Sequence, residues 1–456
     1  MLRQKPVSYV FLVVSLVCYY FLAYEIPRHN TFALFTAFGI LFLIYVWIVN
    51  GSSNQTVSFW IVVSLCFRAT LLFVLPQLSD DFYRFIWDGR LWAAGQHPFA
   101  ALPSEFLSLH IPGIDQDIYS RLNSKEYFAI YPPVSQYVFW IAVKISPHSI
   151  LGSVMVMRVL VLLAEIGTIF LMKELLKKFN GPEKNVLFYA LNPLIIMELT
   201  GNLHFEGFII FFLLLAVFFL TRKRLLSSAA VIGLAICTKL LPLIFLPLFI
   251  GRLTVKNLIT YFLIVATTSL VLFFPFFDWE VVNSLRSSVG LYFTKFEFNA
   301  SLYYLVREFG FWRYGYNIIQ TVGWKLGLIT LILILIFVWI RNRKSKTKQD
   351  DSANHVLLQD WMWMLSIYFL FATTLHPWYI STLLALSVFT PYRYPTVWTG
   401  MILLTYAGYT ADSFHEILWL TAIQYILVIG YLAYELWNRK STLVVGWNKE
   451  NLLKYE

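Results

Sequence analysis

The sequence predicts an all-α protein that crosses a membrane many times, and three observations carry that expectation. Of its 456 residues, 59% are hydrophobic and only 13% are charged, whereas soluble domains carry about 25% charged residues. Apolar runs of spanning length, about 17–25 residues, recur along the whole chain. Between them lie the basic clusters "TRKR" (221–224), "RNRKSKTK" (341–348) and "NRK" (438–440). With the N-terminus inside, all three fall on the cytoplasmic face, as the excess of Lys and Arg in cytoplasmic loops requires.

Taken in order, the runs give about fourteen expected spans, with twelve to fifteen compatible with the pattern. They lie roughly at 7–24, 31–49, 56–76, 150–176, 184–199, 205–221, 225–239, 240–251, 256–276, 315–340, 356–374, 378–390, 395–410 and 416–436. No stretch is long and polar enough for a soluble domain, so 1–456 reads as a single integral membrane domain. Within it, 77–149 is a first large outer loop with juxtamembrane helices, and 150–276 holds core helices. A second large outer loop follows at 277–314, then C-terminal helices and a cytoplasmic tail over 315–456. The first run follows a basic start, and no small-residue cleavage site follows it, so it reads as a retained helix. The segment "YPPVSQYVFWIAVKIS" (131–146) is apolar enough to span, but it is short. Tyr-Pro-Pro at its start disfavours a clean helix entry. A span here would also turn every later basic cluster outward. An outer juxtamembrane or re-entrant helix is expected, with a true span and an error elsewhere in the count as the alternative.

The formal charge of +10 would suggest a nucleic-acid partner in a soluble protein. Here it follows from the cytoplasmic loops, and no nucleic acid is expected. Cys18, Cys66 and Cys237 all lie in apolar runs and form neither a disulfide framework nor a metal cluster. There is no Gly-rich phosphate loop and no His/Cys metal spacing. No cofactor and no metal are expected.

With this topology the polar outliers gather on the outer face. They are Asp80, Asp81 and Arg84, then "GNLHFEG" (201–207), Lys239 at a helix end, "FEFNASLYY" (296–304) and "LHPWYIS" (375–381). The densest is "SDDFYRFIWDGRLWAAGQHPF" (79–99), directly after an apolar run. It reads as a helix lying along the membrane, with Asp81, Arg84 and Asp88 on one face and a stop at Gly95 and Pro98. Ser79 as N-cap and an acidic first turn would account for the aspartates structurally. Function asks for more: a carboxylate at the membrane surface can take a proton from a sugar hydroxyl, while Arg, Lys or His holds a phosphate. Arg158 and Glu165, seven residues apart, read as an internal polar network, and Arg68 as a buried partner. Asn299, in a formal glycosylation sequon, and Tyr303 are alternatives for hydrogen bonding to sugar.

The stretch resembles the first outer loop of the GT-C superfamily of glycosyltransferases, and is most similar to its mannosyltransferase branches. The resemblance rests on Asp80-Asp81, on Trp87-Asp88-Gly89-Arg90 and on Gly95-Gln96-His97-Pro98-Phe99. Tyr131-Pro132-Pro133 continues it, as do Asn202, His204 and Glu206, and Lys239-Leu240-Leu241-Pro242. It covers roughly 75–250. Glu206 stands where Asp is more usual, and His97 where Asn or Ser is common.

The resemblance implies transfer of a hexose, mannose on the branch pattern, from a polyprenyl-phosphate donor to a lipid or glycan acceptor, with inversion. Asp80 would activate the acceptor hydroxyl and Asp81 would support it. Arg84, Lys239 and His376 would face the donor phosphate, and His204 and Glu206 the acceptor side. The site would face outward from a bacterial inner membrane. The competing reading is a lipid or lipid-linked-sugar flippase without transferase chemistry. A transporter wants ionisable groups near the bilayer midplane, whereas these gather at one interface.

Overall fold

The structure is a computed structural model that describes residues 5–278, 282, 286–287, 290–291, 293–344, 351–411 and 413–438. Among the described residues the chain is helical, and β-structure is limited to three isolated bridges. Six helices are long and apolar enough to cross a membrane: Val7–Tyr24, Thr31–Gly51, Ile150–Lys178, Val255–Phe276, Ile319–Arg343 and Leu418–Trp437. A seventh is the pair Pro193–Gly201 and Glu206–Thr221, if that pair, bent by 109°, counts as one span. This supports a polytopic all-α membrane protein with fewer unbroken spans than the fourteen expected. Residues 345–350 and 439–456, which include parts of two basic clusters and the tail, lie outside the described residues, as does much of 279–292.

The shortfall has local causes. The run 184–199 is broken at Asn192, whose side chain accepts from the backbone N–H of Leu194 and Ile195 and so starts a new helix at Pro193. The run 240–251 forms a 3-10 helix, Leu241–Phe249, with Pro242 and Pro247 inside it. The run 378–390 keeps only eight α-helical residues, Ile380–Ser387. At 395–410 the helix Tyr394–Met401 passes into a 3-10 turn, Ile402–Gly408. Val57–Ala69 and Leu225–Thr238 are apolar but have only 13 and 14 residues. Asp351–Phe371 reaches 21 residues, but its first half is polar.

The chain divides into two compact units. One comprises Met1–Ser79, Val154–Gly207 and Pro377–Glu456. Its buried charges are held by ion pairs or hydrogen bonds, as burial demands. Arg68 Nη2 lies 3.0 Å from Glu165 Oε2, both fully buried, and Tyr189 donates its hydroxyl to Glu165. Arg158 does not join that pair. Its guanidinium donates to the carbonyls of Thr200 (2.7 Å), Gly201 (2.8 Å) and Leu72 (3.0 Å). It thereby ties the segment after the Val57–Ala69 helix to the turn at 200–201.

The other unit comprises Asp80–Ser153 and Phe208–His376. Here helix Asp81–Ala93 packs on helix Pro133–Ile145. Phe85 and Phe139 stack at 4.7 Å. At Gly89 the two backbones come so close that a Cβ would sit 2.6 Å from the Phe139 carbonyl oxygen. Pro133 opens its helix from an extended Pro132. That helix has 13 residues, about 20 Å at 1.5 Å per residue, too short for a hydrocarbon core of about 30 Å.

Candidate active site

Asp80 and Asp81 stand, half-buried, at the start of helix Asp81–Ala93. The N-cap is Asp80 rather than Ser79, and its carboxylate makes no capping hydrogen bond. Asp81 is held by Asn123, whose Nδ2 donates to Oδ1 at 2.7 Å.

One turn on, Arg84 is buried. Its Nε donates to Asp88 Oδ1 at 2.8 Å, and its Nη1 donates to the carbonyls of Ser124 (3.1 Å) and Tyr127 (2.9 Å). These donors, expected at a phosphate, are committed to the protein. Asp88 Oδ2 accepts from Gln136 Nε2 of the neighbouring helix at 3.0 Å. Burial pushes the Asp88 carboxyl above its ordinary range, against the pull of Arg84 and Gln136. The 81/84/88 face is thus a clamp that fixes the acid-bearing helix to the 124–127 loop and to the helix beyond.

The same unit gathers three other expected segments. Tyr127 meets Phe296 edge-on at 4.9 Å. Phe298 N–H donates to the Thr373 carbonyl (3.0 Å), and Leu375 N–H donates to the Phe298 carbonyl (2.8 Å). The Phe298 ring lies 4.6 Å from that of His376. A continuous series of contacts therefore runs from Arg84 to His376. Glu297 anchors it, accepting from Tyr303 (2.6 Å), Asn317 (3.0 Å) and Arg307 (2.9 Å). Tyr303 is used in this network, and Asn299, fully buried, donates Nδ2 to the Leu375 carbonyl at 3.4 Å. Lys239 ends helix Leu225–Thr238 in an extended conformation, within electrostatic reach of Tyr368. The preceding Thr238 carbonyl accepts from Ser135 at 3.0 Å.

His204 and Glu206 belong to the first unit and are buried, at 2% exposure each, rather than on a solvated loop. They follow a π-helical turn, Ile196–Gly201, and Leu203 takes a left-handed φ of 65° to make the bend, a rare conformation for a leucine. The His204 ring stacks on Trp378 at 3.6 Å. Its Nε2 is 3.3 Å from Glu198 Oε2, off the N–H direction, so the contact is electrostatic rather than a formed hydrogen bond. Glu198 was missed from sequence because it lies inside an apolar run; a lone acid there was the available signal. Among the described residues no three or more His, Cys, Asp or Glu side chains are grouped to hold a metal.

A family model described as "Alpha-(1->6)-mannopyranosyltransferase, N-terminal domain" matches residues 14–255, more than half of the chain. The chain belongs to this family. The matched region holds the acid pair, the Arg84–Asp88 clamp, the 198–206 bend and Lys239, but not His376. Alpha-(1->6)-mannopyranosyltransferase B of Corynebacterium glutamicum is 24% identical over 206 residues, 41% of this chain. That alignment spans 33% of the relative's own length.

Proposed function

We propose that this chain is a membrane mannosyltransferase of GT-C-like architecture. It takes mannose from a polyprenyl-phosphate donor and delivers it, with inversion, to a lipid or glycan acceptor on the outer face of a bacterial cell membrane. Family membership supports the sugar and the reaction class. The observation that carries the site is an acid pair, half-buried at the start of a helix that buried polar contacts clamp to its neighbours.

Asp80 accepts the proton of the acceptor hydroxyl as its oxygen bonds to the anomeric carbon. The carbon–oxygen bond to phosphate breaks, and its electron pair leaves on the polyprenyl phosphate. Asp81, held by Asn123, keeps the sugar or the acceptor in line. Lys239 and His376 offset the charge growing on the phosphate. Arg84 serves them by fixing the 124–127 loop.

The test is transfer from radiolabelled polyprenyl-phosphate-mannose in membranes holding equal amounts of wild type, Asp80→Asn or Asp81→Asn. Asparagine keeps the size and cannot take the proton. The expected result is transfer by wild type and a loss of about a hundredfold or more in Asp80→Asn, the range for a missing general base. Undiminished transfer in both variants removes the acid pair from the site. No transfer by wild type removes the proposed donor.

A further inference from the structure

Glu198 is a fully buried carboxylate in the π-helical turn Ile196–Gly201, outside every motif that the proposed reaction uses. Its partners come from its own bend and from a distant turn. Tyr406, from the 3-10 turn Ile402–Gly408, donates its hydroxyl to Oε1. Asn202 Nδ2 donates to Oε2 at 3.2 Å, and His204 Nε2 faces that same oxygen at 3.3 Å. The carboxylate accepts hydrogen bonds from Tyr406 and Asn202 and orients both.

One of these partners leads toward the acid pair. The Nδ2 of Asn202 is committed to Glu198, and this fixes which way its amide points. Its Oδ1 is thereby aimed at the backbone N–H of Leu78, from which it accepts at 3.2 Å. Leu78 is two residues before Asp80 in the chain. Arg158 ties the same two stretches together at Gly201 and Leu72. The strand of chain that delivers the acid pair is therefore held at Leu78 by an amide that Glu198 orients.

We propose that Glu198 is a positioning residue for transfer: by orienting Asn202 it fixes the backbone at Leu78, and with it the entry into Asp80-Asp81. This rests on the assignment of Asp80 to the reaction. A glutamine at 198 keeps the size but presents an NH2 where donors converge. It must turn that group toward Tyr406 or toward Asn202 and His204. Part of the orientation is lost while the turn keeps its volume.

The experiment combines two readouts on the full-length protein in detergent. The first is hydrogen exchange in peptides covering 76–83, which needs no substrate. Glu198→Gln and Asn202→Ala are both expected to speed exchange there about tenfold, the loss of one net hydrogen bond of about 1 kcal/mol or slightly more. Tyr406→Phe removes a donor from the other carboxylate oxygen and is expected to lower thermal stability without changing exchange at 76–83. The second readout is transfer kinetics. Glu198→Gln should lower kcat about tenfold or more and leave donor KM within about threefold, as for an interaction made in the transition state. In an Asp80→Asn background it should cost nothing further, because coupled positions are non-additive.

Unchanged exchange at 76–83 in Glu198→Gln overturns the proposal whatever the kinetics. So does a double-variant loss equal to the product of the single losses. So does Tyr406→Phe speeding exchange at 76–83 as much as Glu198→Gln, which would mark general loosening of the fold. If wild type transfers no mannose, the functional assignment falls. The exchange result then still decides whether Glu198 holds Leu78.

Discussion

Arg84 and Asp88 face each other one turn apart on helix Asp81–Ala93, 2.8 Å between Nε and Oδ1, with side chains 4% and 0% exposed. Each has a second attachment outside that helix: Arg84 to the 124–127 loop, and Asp88 to Gln136. Removing one partner of a buried ion pair leaves the other charged and unsolvated, at a cost of about 3–5 kcal/mol. Asp88→Ala is expected to lower the thermal unfolding midpoint sharply and to abolish transfer with it. Gln136→Leu removes one hydrogen bond to the carboxylate, and should cost about 1.5–3 kcal/mol. Thermal unfolding of the purified variants checks the order. Equal stability of wild type and Asp88→Ala would show that the clamp holds nothing.

Gly89 makes the contact between helices Asp81–Ala93 and Pro133–Ile145 possible. Alanine is the better helix former by about 1 kcal/mol, so an exposed Gly→Ala change would stabilise. Here the added Cβ meets the Phe139 carbonyl at 2.6 Å and its carbon at 2.9 Å. Backbone cannot swing aside as a side chain can, and overpacking of this kind costs about 1–3 kcal/mol. Gly89→Ala is therefore expected to destabilise on balance and to reduce transfer. The same change at Gly39, which has nothing within 4 Å, is the control and should be neutral or stabilising.

The sequence made the helix at 81–93 and the short helix at 131–146 readable because each carries a local signal: a run of polar residues after an apolar one, a Gly/Pro stop, a Tyr-Pro-Pro start. It placed Arg68 and Glu165 in buried polar contacts for a similar reason, since a charge inside an apolar run needs a partner. Periodicity could not say which partner, and Arg158 turned out to serve backbone carbonyls instead. The span count was less readable, because hydropathy averages over a run and does not register breaks such as those at Asn192, Pro242 and Pro247. Glu198 and Gln136 were invisible for a related reason. Their meaning lies in what they meet across long stretches of chain, such as Tyr406, which a reading of neighbouring residues does not reach.

His97 supplies a pH test. Its Nδ1 accepts from the Phe99 backbone N–H at 3.3 Å, and its ring sits against Phe276. Burial lowers its pKa below the ordinary 6.5, only partly offset by the Phe276 backbone and Asp278. As pH falls through about 6.5 the unfolded chain takes up this proton before the folded chain does. Stability is therefore lost on acidification, as linkage requires when the unfolded state binds more protons. Asparagine can accept the same backbone bond and does not titrate. His97→Asn is expected to gain stability relative to wild type as pH drops from about 6.5 toward 5. Parallel unfolding midpoints across that range would show that His97 titrates alike in both states.

The last prediction concerns Glu297, where three donors meet beside the bridge to His376. Tyr303, Asn317 and Arg307 all bond this carboxylate, and the Arg307 guanidinium also lies 4.4 Å from the Tyr304 ring centre. The neighbouring Phe298 then pairs by backbone with Thr373 and Leu375 and by ring with His376. If Glu297 is removed, Arg307 and Tyr303 lose their common acceptor, and the bridge loses its anchor on one side. His376 itself is untouched. The expected result for Glu297→Ala is faster hydrogen exchange at 296–300 and at 373–376 together. Donor KM should rise about tenfold, one lost charge-assisted bond of about 1.5 kcal/mol or more. Tyr303→Phe should give the same pattern at smaller size. Faster exchange at 296–300 alone, with 373–376 unchanged and KM at its wild-type value, would show that the bridge holds His376 without Glu297.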